Sequence, residues 1–333
     1  MDFSSTISHG ILKRIVLPLL LLCPIIKGWA QNDISNYHPF FGESRYANEK
    51  VLVIRKLERN NQNYYLTVNP KTLVTALIPA KKLNVIAIPF QKLLENNATT
   101  PYGQALLAAQ KQSFSIEDAG ITHGAGNEKG ITLTIDLCPS HKPLDRIIFT
   151  SLIAEFKKIE QPVPIGISIT GRFLLTHAED IRWLEELAKK EEISITWINH
   201  TYNHRYNPKT PLSQNFLLEP HTDINFEILG TEMALLQRGQ TISPFFRFPG
   251  LVSDHELINK VTEFGLIPIG SDAWLAKGQP VHSGSIILIH GNGNEPLGVK
   301  DFIRLLQTKD AAVMKKEWLL YDLRESVENE FQE

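Results

Sequence analysis

His200 and His204 stand four residues apart in Asn199-His200-Thr201-Tyr202-Asn203-His204. On a helical turn that spacing puts both imidazoles on one face, within reach of a single divalent ion. Taken alone, such a pair also describes two solvated or hydrogen-bonded loop histidines. Its company points to chemistry. Asp136 ends the apolar run Thr134-Ile135-Asp136-Leu137, where a charge is costly to bury unless it is paired or functional. Arg247 follows in Arg247-Phe248-Pro249-Gly250, Asp272 in Ser271-Asp272-Ala273-Trp274, and His290 closes the run from Ser285 to Ile289. A buried carboxylate, a guanidinium that would keep it ionised, two imidazoles spaced for one metal ion and a histidine able to protonate a departing amine are together consistent with an active site. Each also has a purely structural use. Asp136 and Arg247 could form a structural ion pair, His290 could be a satisfied core histidine, and Trp274 could be core or the wall of a groove.

The elements that must position these residues alternate. Ile131–Leu137 reads as a strand and Asp145–Ile159 as a helix with Ile147, Ile148, Leu152 and Phe156 on one face. Pro164–Thr170 is a strand, and Ala178–Lys190 a helix with Ile181, Leu184 and Leu187 at helical spacing. Ile193–Ile198 then delivers His200 from its C-terminal end. Further strands fall at Phe245–Phe248, Leu266–Ile269 and Ile286–His290, with helices near Asn225–Arg238 and Asp254–Phe264. Such alternation implies an α/β architecture of parallel strands with helical crossovers, either a barrel or an open sheet. All five motifs then sit at or just past C-terminal strand ends, the face on which barrel enzymes place their catalytic groups.

The five motifs, in this order, resemble those of the polysaccharide deacetylase family, also called carbohydrate esterase family four. Its members hydrolyse acetyl groups on sugars with a divalent metal. The resemblance covers about residues 130–310 and implies a distorted (β/α) barrel with fewer than eight full units. It implies that His200, Thr201 and His204 match the family's metal-binding histidine motif. Asp136 matches its general base, Arg247 the residue that orients the base, and His290 the general acid of a Leu-x-His motif. It implies further that Leu288 lines a pocket for the acyl methyl, that a backbone N–H near Gly250 helps to hold the oxyanion, and that Asp272 keeps His290 protonated. Trp274 would wall the substrate groove.

At one position the chain departs from the pattern. Leu137 stands where the family has a metal-binding aspartate, so the family's ligand triad lacks its carboxylate. Asp145, His141 or the thiolate of Cys138 would have to complete the site, or waters and substrate atoms would. The expected activity is removal of acetyl groups, mainly N-acetyl, from a glycan such as peptidoglycan or a chitin-like oligomer, with zinc as the expected ion. The alternatives are a catalytically silent carbohydrate-binding relative and an amidase acting on a non-sugar substrate.

Composition bounds the rest. The chain has 333 residues, 43% hydrophobic and 21% charged, with a net charge of −2, and nothing basic enough to suggest a nucleic-acid partner. Lys13 and Arg14 precede the apolar run Ile15 to Ile26 and a small-x-small site at Gly28-Trp29-Ala30, the signature of a secretory signal over residues 1–30. Export to the periplasm or beyond is expected, with membrane attachment only if that segment stays uncleaved. Cys138 alone would remain after cleavage and reads as a small buried hydrophobe. Residues 31–122 form an accessory α+β region, a small domain or an extension, with strands at Val51–Ile54, Tyr64–Val68 and Leu83–Ile88 and a helix at Tyr102–Gln112. A Gly-rich junction at 123–127 leads into the catalytic part, residues 123–325.

Overall fold

A computed structural model of the chain describes Met1 and residues 32–112, 115–126 and 129–332. The rest of the expected signal segment, and Asn127 of the junction, lie outside the described residues. Among the described residues no helix is long and apolar enough to cross a membrane.

The amino-terminal region is an antiparallel sheet followed by two helices. β1 (Ile34–Tyr46), β2 (Glu49–Arg59), β3 (Gln62–Val68), β4 (Thr75–Pro79) and β5 (Ile86–Ala87) pair in the order β4-β3-β2-β1-β5. The apolar runs predicted as strands fall in β2 and β3, but the strand expected over 83–88 shortens to two residues. β1 escapes sequence reading because register shifts between Ser35 and His38, and between Pro39 and Gly42, break the alternation that marks a strand. α1 (Phe90–Asn96) and α2 (Pro101–Lys111) come next. α2 opens on Thr100, whose hydroxyl accepts from the Gly103 N–H, with Pro101 at its first position.

From residue 130 the chain alternates as expected. β6 (Gly130–Leu137), α3 (Arg146–Phe156), β7 (Val163–Ile169), α4 (Gly171–Thr176), α5 (Ala178–Lys189) and β8 (Ile193–Asn199) lead to α6 (Ile224–Gln237). Then follow β9 (Phe245–Phe246), α7 (His255–Glu263), β10 (Ile267–Pro268), β11 (Ala273–Trp274), β12 (Ile286–His290), α8 (Pro296–Met314), β13 (Leu319–Leu320) and α9 (Leu323–Glu330). The strands pair in parallel in the order β10-β9-β8-β7-β6-β12-β11, with β13 beside the start of β6.

One side chain reveals the sheet's shape. Arg247, just past β9, bonds Asp136 on β6 at 2.8 Å and the carbonyls of Ile269 and Gly270 beyond β10. Two strands separate β9 from β6, which in a flat sheet would put them roughly 14 Å apart. An arginine side chain cannot cover that span, so the sheet curls and its C-terminal ends converge. The result is a mixed α/β fold built on a curled parallel half-barrel, with the extra amino-terminal sheet beside it. Residues 121–123 stitch across the open side, Ile121 bridging Ile269 and His123 bridging Ser285.

Core packing follows helical spacing with one correction. Ile148, Phe149, Leu152 and Phe156 of α3 are buried, whereas Ile147 is 56% exposed. A single apolar cluster runs from Leu52, Ile54 and Leu66 of the amino-terminal sheet through Tyr102 and Leu106 of α2 to Leu133 and Ile135 of β6.

An ion pair with no solvent exposure pins that sheet to the rest. Arg55 of β2 donates from Nε and Nη2 to the two carboxylate oxygens of Glu232 on α6, at 2.8 and 2.9 Å, and from Nη1 to the Phe264 carbonyl. The Tyr37 hydroxyl donates to the same carboxylate at 2.6 Å. Burial, then the Glu232 charge, holds the Tyr37 hydroxyl protonated, well above its usual range. Removing one partner of such a pair leaves an uncompensated buried charge, which costs more than the pair itself contributes. Arg55→Met should therefore lower the unfolding free energy of the full chain by about 3–5 kcal/mol, read by urea denaturation. A loss in the range of about 0–1 kcal/mol typical of surface pairs would show that the pair does not dock the sheet.

Candidate active site

Parallel register brings the candidate residues to one level. Asp136 lies opposite His290 of β12 and Ser168 of β7, and Ile169 lies opposite Asn199, the residue before His200. Asp136 is buried, with Oδ1 accepting from Arg247 Nη1 at 2.8 Å and Oδ2 3.7 Å from His200 Nε2. Arg247 Nη1 also donates to Thr134 Oγ1 at 2.7 Å, so its position is fixed from both sides of the barrel. Burial opposes ionisation of Asp136. The charges of Arg247, His200 and His290 outweigh it and hold the carboxyl below its usual range. The group is held ionised.

The two histidines do meet, although not on a helix. Residues 200–204 form a bent loop in which Thr201 (φ 70°) and His204 (φ 48°) take left-handed backbone angles, a conformation that surrounding contacts must enforce. Glu227, in the first turn of α6, supplies them. Its carboxylate accepts from the N–H groups of Tyr202 and Asn203 at 2.9 and 2.8 Å, and from Asn203 Nδ2 at 2.7 Å. The Tyr202 ring packs where a Cβ on Gly171, the first residue of α4, would lie. The imidazole centroids of His200 and His204 are 4.8 Å apart.

Cys138 joins them. Its Sγ lies 3.5 Å from His200 Nε2, and one donor atom from each of Cys138, His200 and His204 falls within 4.8 Å of the others. The reason is strand alternation. Thr134 and Asp136 face the barrel interior, and Cys138 continues that face. Leu137 is buried on the opposite side, where its Cδ2 and Ile148 Cδ1 border Gly291. The sequence position expected to carry the third ligand thus points away from the site, and its successor points in. Burial opposes the Cys138 thiolate, but His204, His290 and His200 together hold the thiol well below its usual range. His200 donates from Nδ1 to the Arg247 carbonyl at 2.9 Å, which turns Nε2 toward Cys138. One thiolate and two imidazoles suit a borderline-soft divalent ion such as zinc. The other two candidates for the third ligand are placed elsewhere. Asp145 Oδ2 accepts from the Gly293 N–H at 2.8 Å, and His141 is exposed.

At His290 the structure corrects a partner. Asp272 does not hold it: its carboxylate accepts from His123 Nδ1 at 2.8 Å and from the Ile286 N–H at 3.1 Å. Glu295 does, with Oε2 2.7 Å from His290 Nδ1 and 2.8 Å from Trp274 Nε1. Burial works against the imidazolium, but the charge and hydrogen bond of Cys138, the hydrogen bond to Glu295 and the Asp136 charge raise the pKa of His290 well above its usual value. With Nδ1 committed to Glu295, Nε2 is the nitrogen that can pass on a proton. Leu288 and Trp274 pack with Leu251 in a small separate apolar cluster. Gly250 adopts φ 62°, and a Cβ there would sit 2.8 Å from the Phe216 ring, so glycine is required twice over.

Glu227 and Glu295 were not legible. An acid in the first turn of a helix reads as a complement to the helix dipole, which hides the role of Glu227. Glu295 carried one weak signal, an acid before Pro296 at a helix start five residues after His290.

Two outcomes are expected. Zinc should bind at about one equivalent per chain, since the three donors form one site, and Cys138→Ser or His200→Ala should lose it in equilibrium dialysis. Asp145→Asn and His141→Ala should keep it, and metal loss in either would reinstate the replaced side chain as a ligand. Glu227→Ala should weaken cobalt affinity about 10- to 100-fold, the range for outer-shell partners, and alter the thiolate-to-cobalt absorption band. An unaltered band would remove Glu227 from any part in shaping the site.

Comparison with known proteins gives two results. Residues 35–100 match the family described as "RP012 protein N-terminal domain". The solved structures to which the chain is similar include a family 4 carbohydrate esterase from Bacillus anthracis, at 19% identity and TM-score 0.46, covering 68% of this chain and 92% of that one. A family 4 carbohydrate esterase from Streptomyces lividans in complex with acetate is similar at 17% identity and TM-score 0.41, covering 59% and 93%. A pseudoenzyme of the same family from Bacillus anthracis is similar at 16% identity and TM-score 0.43, covering 68% and 81%.

Proposed function

We propose that the chain is a metal-dependent hydrolase that removes acetyl groups, mainly N-acetyl, from a glycan. One observation carries this reading: an ionised carboxylate, a carboxylate-backed histidine and a Cys138–His200–His204 donor group meet at the same end of one barrel. The order of motifs in the sequence supports the same assignment.

The residues divide the work as follows. Cys138, His200 and His204 would hold a divalent ion, which would supply Lewis acidity toward the acyl oxygen and make water a better acid. Asp136 takes the proton from the attacking water, and Arg247 keeps that carboxylate ionised and aimed. In this reading a backbone N–H near Gly250 faces the developing oxyanion, the role its motif implies. Leu288, with Leu251 and Trp274, offers an apolar seat for the acyl methyl. His290 gives its proton to the departing sugar nitrogen, and Glu295 fixes the ring that does so. Asp272 has no step here. Export, expected from the amino-terminal segment, would place the enzyme beside extracytoplasmic glycan.

A silent carbohydrate-binding protein has no need of an acid–base pair, and the loss of an aspartate at Leu137 no longer favours it once Cys138 offers a third donor. Acetate release from peptidoglycan and from N-acetylglucosamine oligomers tests the proposal. Asp136→Asn should lower the rate by about 10²–10⁴, the usual scale for a general base, while the metal stays bound. A metallated wild-type protein that frees no acetate from any glycan would sink the reading. Turnover of small acyl amides alone would point instead to a non-sugar amidase.

A further inference from the structure

Beyond the donor group, the loop of residues 205–220 builds a second feature that the proposed chemistry does not use. The Phe216 ring meets the His204 ring edge-on, centroids 5.6 Å apart, and stacks on Tyr206 at 5.0 Å with the planes 17° apart. Tyr206 is 58% exposed although it is backed by an aromatic ring. A cavity of about 270 Å³ opens beside it, lined by Arg205, Asn207, Gln214 and Glu219 among others. The loop is built to hold its shape. The Asn215 amide donates to the carbonyls of Asn207 and Thr210 and accepts from the N–H groups of Asn207 and Phe216.

The lining points to a ligand class. Arg205 and Glu219 lie 3.7 Å apart and cancel in charge, so the cavity favours neither an anion nor a cation. Gln214 offers an amide that donates and accepts, and Asn207 offers its amide nitrogen while its Oδ1 accepts from the Lys209 N–H at 3.0 Å, so the lining can meet hydroxyl groups with both roles. An aromatic face with the negative side of its quadrupole outward suits the C–H face of a pyranose. We infer that Tyr206 and this cavity form a subsite for an uncharged sugar ring of the same glycan, adjoining the sugar that carries the acyl group. This rests on the hydrolase reading only for the identity of the chain being bound. It makes the preferred substrate an oligomer rather than a single sugar.

The test uses the full chain. Chitotetraose binding is measured by calorimetry, and hydrolysis of 4-nitrophenyl acetate is followed separately. Tyr206→Ala should raise the Kd for chitotetraose roughly tenfold, equivalent to about 1.4 kcal/mol, and leave 4-nitrophenyl acetate turnover unchanged. Tyr206→Phe should bind like the wild type, because the stacking face survives. Unchanged tetramer binding in Tyr206→Ala, or wild-type protein that does not bind the tetramer, overturns the subsite. Loss of both tetramer binding and ester turnover in Tyr206→Ala also overturns it, since the ring would then be supporting the metal loop. If the wild type binds the tetramer through Tyr206 but hydrolyses nothing, the subsite stands and the hydrolase reading falls.

Discussion

The guanidinium of Arg247 is the fixed point of this molecule. It has no solvent exposure and stands where the strands converge, with donors directed to Asp136, Thr134 and the carbonyls of Ile269 and Gly270. A buried cation on this scale is tolerable only if nearly every N–H is satisfied and a counter-charge is in contact. Those demands draw three separated strand ends to one point, and so the requirement that keeps Asp136 ionised also imposes the curl that gathers the site. Even the backbone takes part, since the Arg247 carbonyl accepts from His200 and sets which of its nitrogens faces Cys138.

The donor group shows how strand geometry decides which of two neighbouring residues reaches the interior face. With a period of two, Asp136 and Cys138 must share a face and Leu137 must take the other. Leu137 fills the layer between β6 and α3. A sulfur one residue later offers the interior face a donor softer than a carboxylate and of the same charge once ionised. A thiolate beside two imidazoles selects a softer ion than a carboxylate in its place would.

Much of this architecture is written in local pattern. Strands β6, β7, β8 and β12 are rich in β-branched residues and nearly free of charge, and α5 repeats its apolar positions at helical spacing, so both read directly. The positions of Asp136, Arg247, His200, His204 and His290 at strand ends read equally well. What did not read depends on contacts between distant segments. β1 is bulged and polar. Glu227 and Glu295 resemble ordinary acids at helix starts. Asp272 stands near His290 in the chain and yet bonds His123. The helical turn expected for residues 200–204 gives way to a loop because Glu227 satisfies its backbone N–H groups from another element.

Helix α6 carries two buried carboxylates little more than a turn apart, and they face different clients. Glu232 is gripped by Arg55 of the amino-terminal sheet, and Glu227 grips the backbone between the two histidines. A rigid rod held at one point and holding at another transmits displacement without any moving part. The sheet thus acts as a splint for the end of the barrel that carries the donor group, and the two cannot drift apart in evolution as freely as a tethered accessory module and its host.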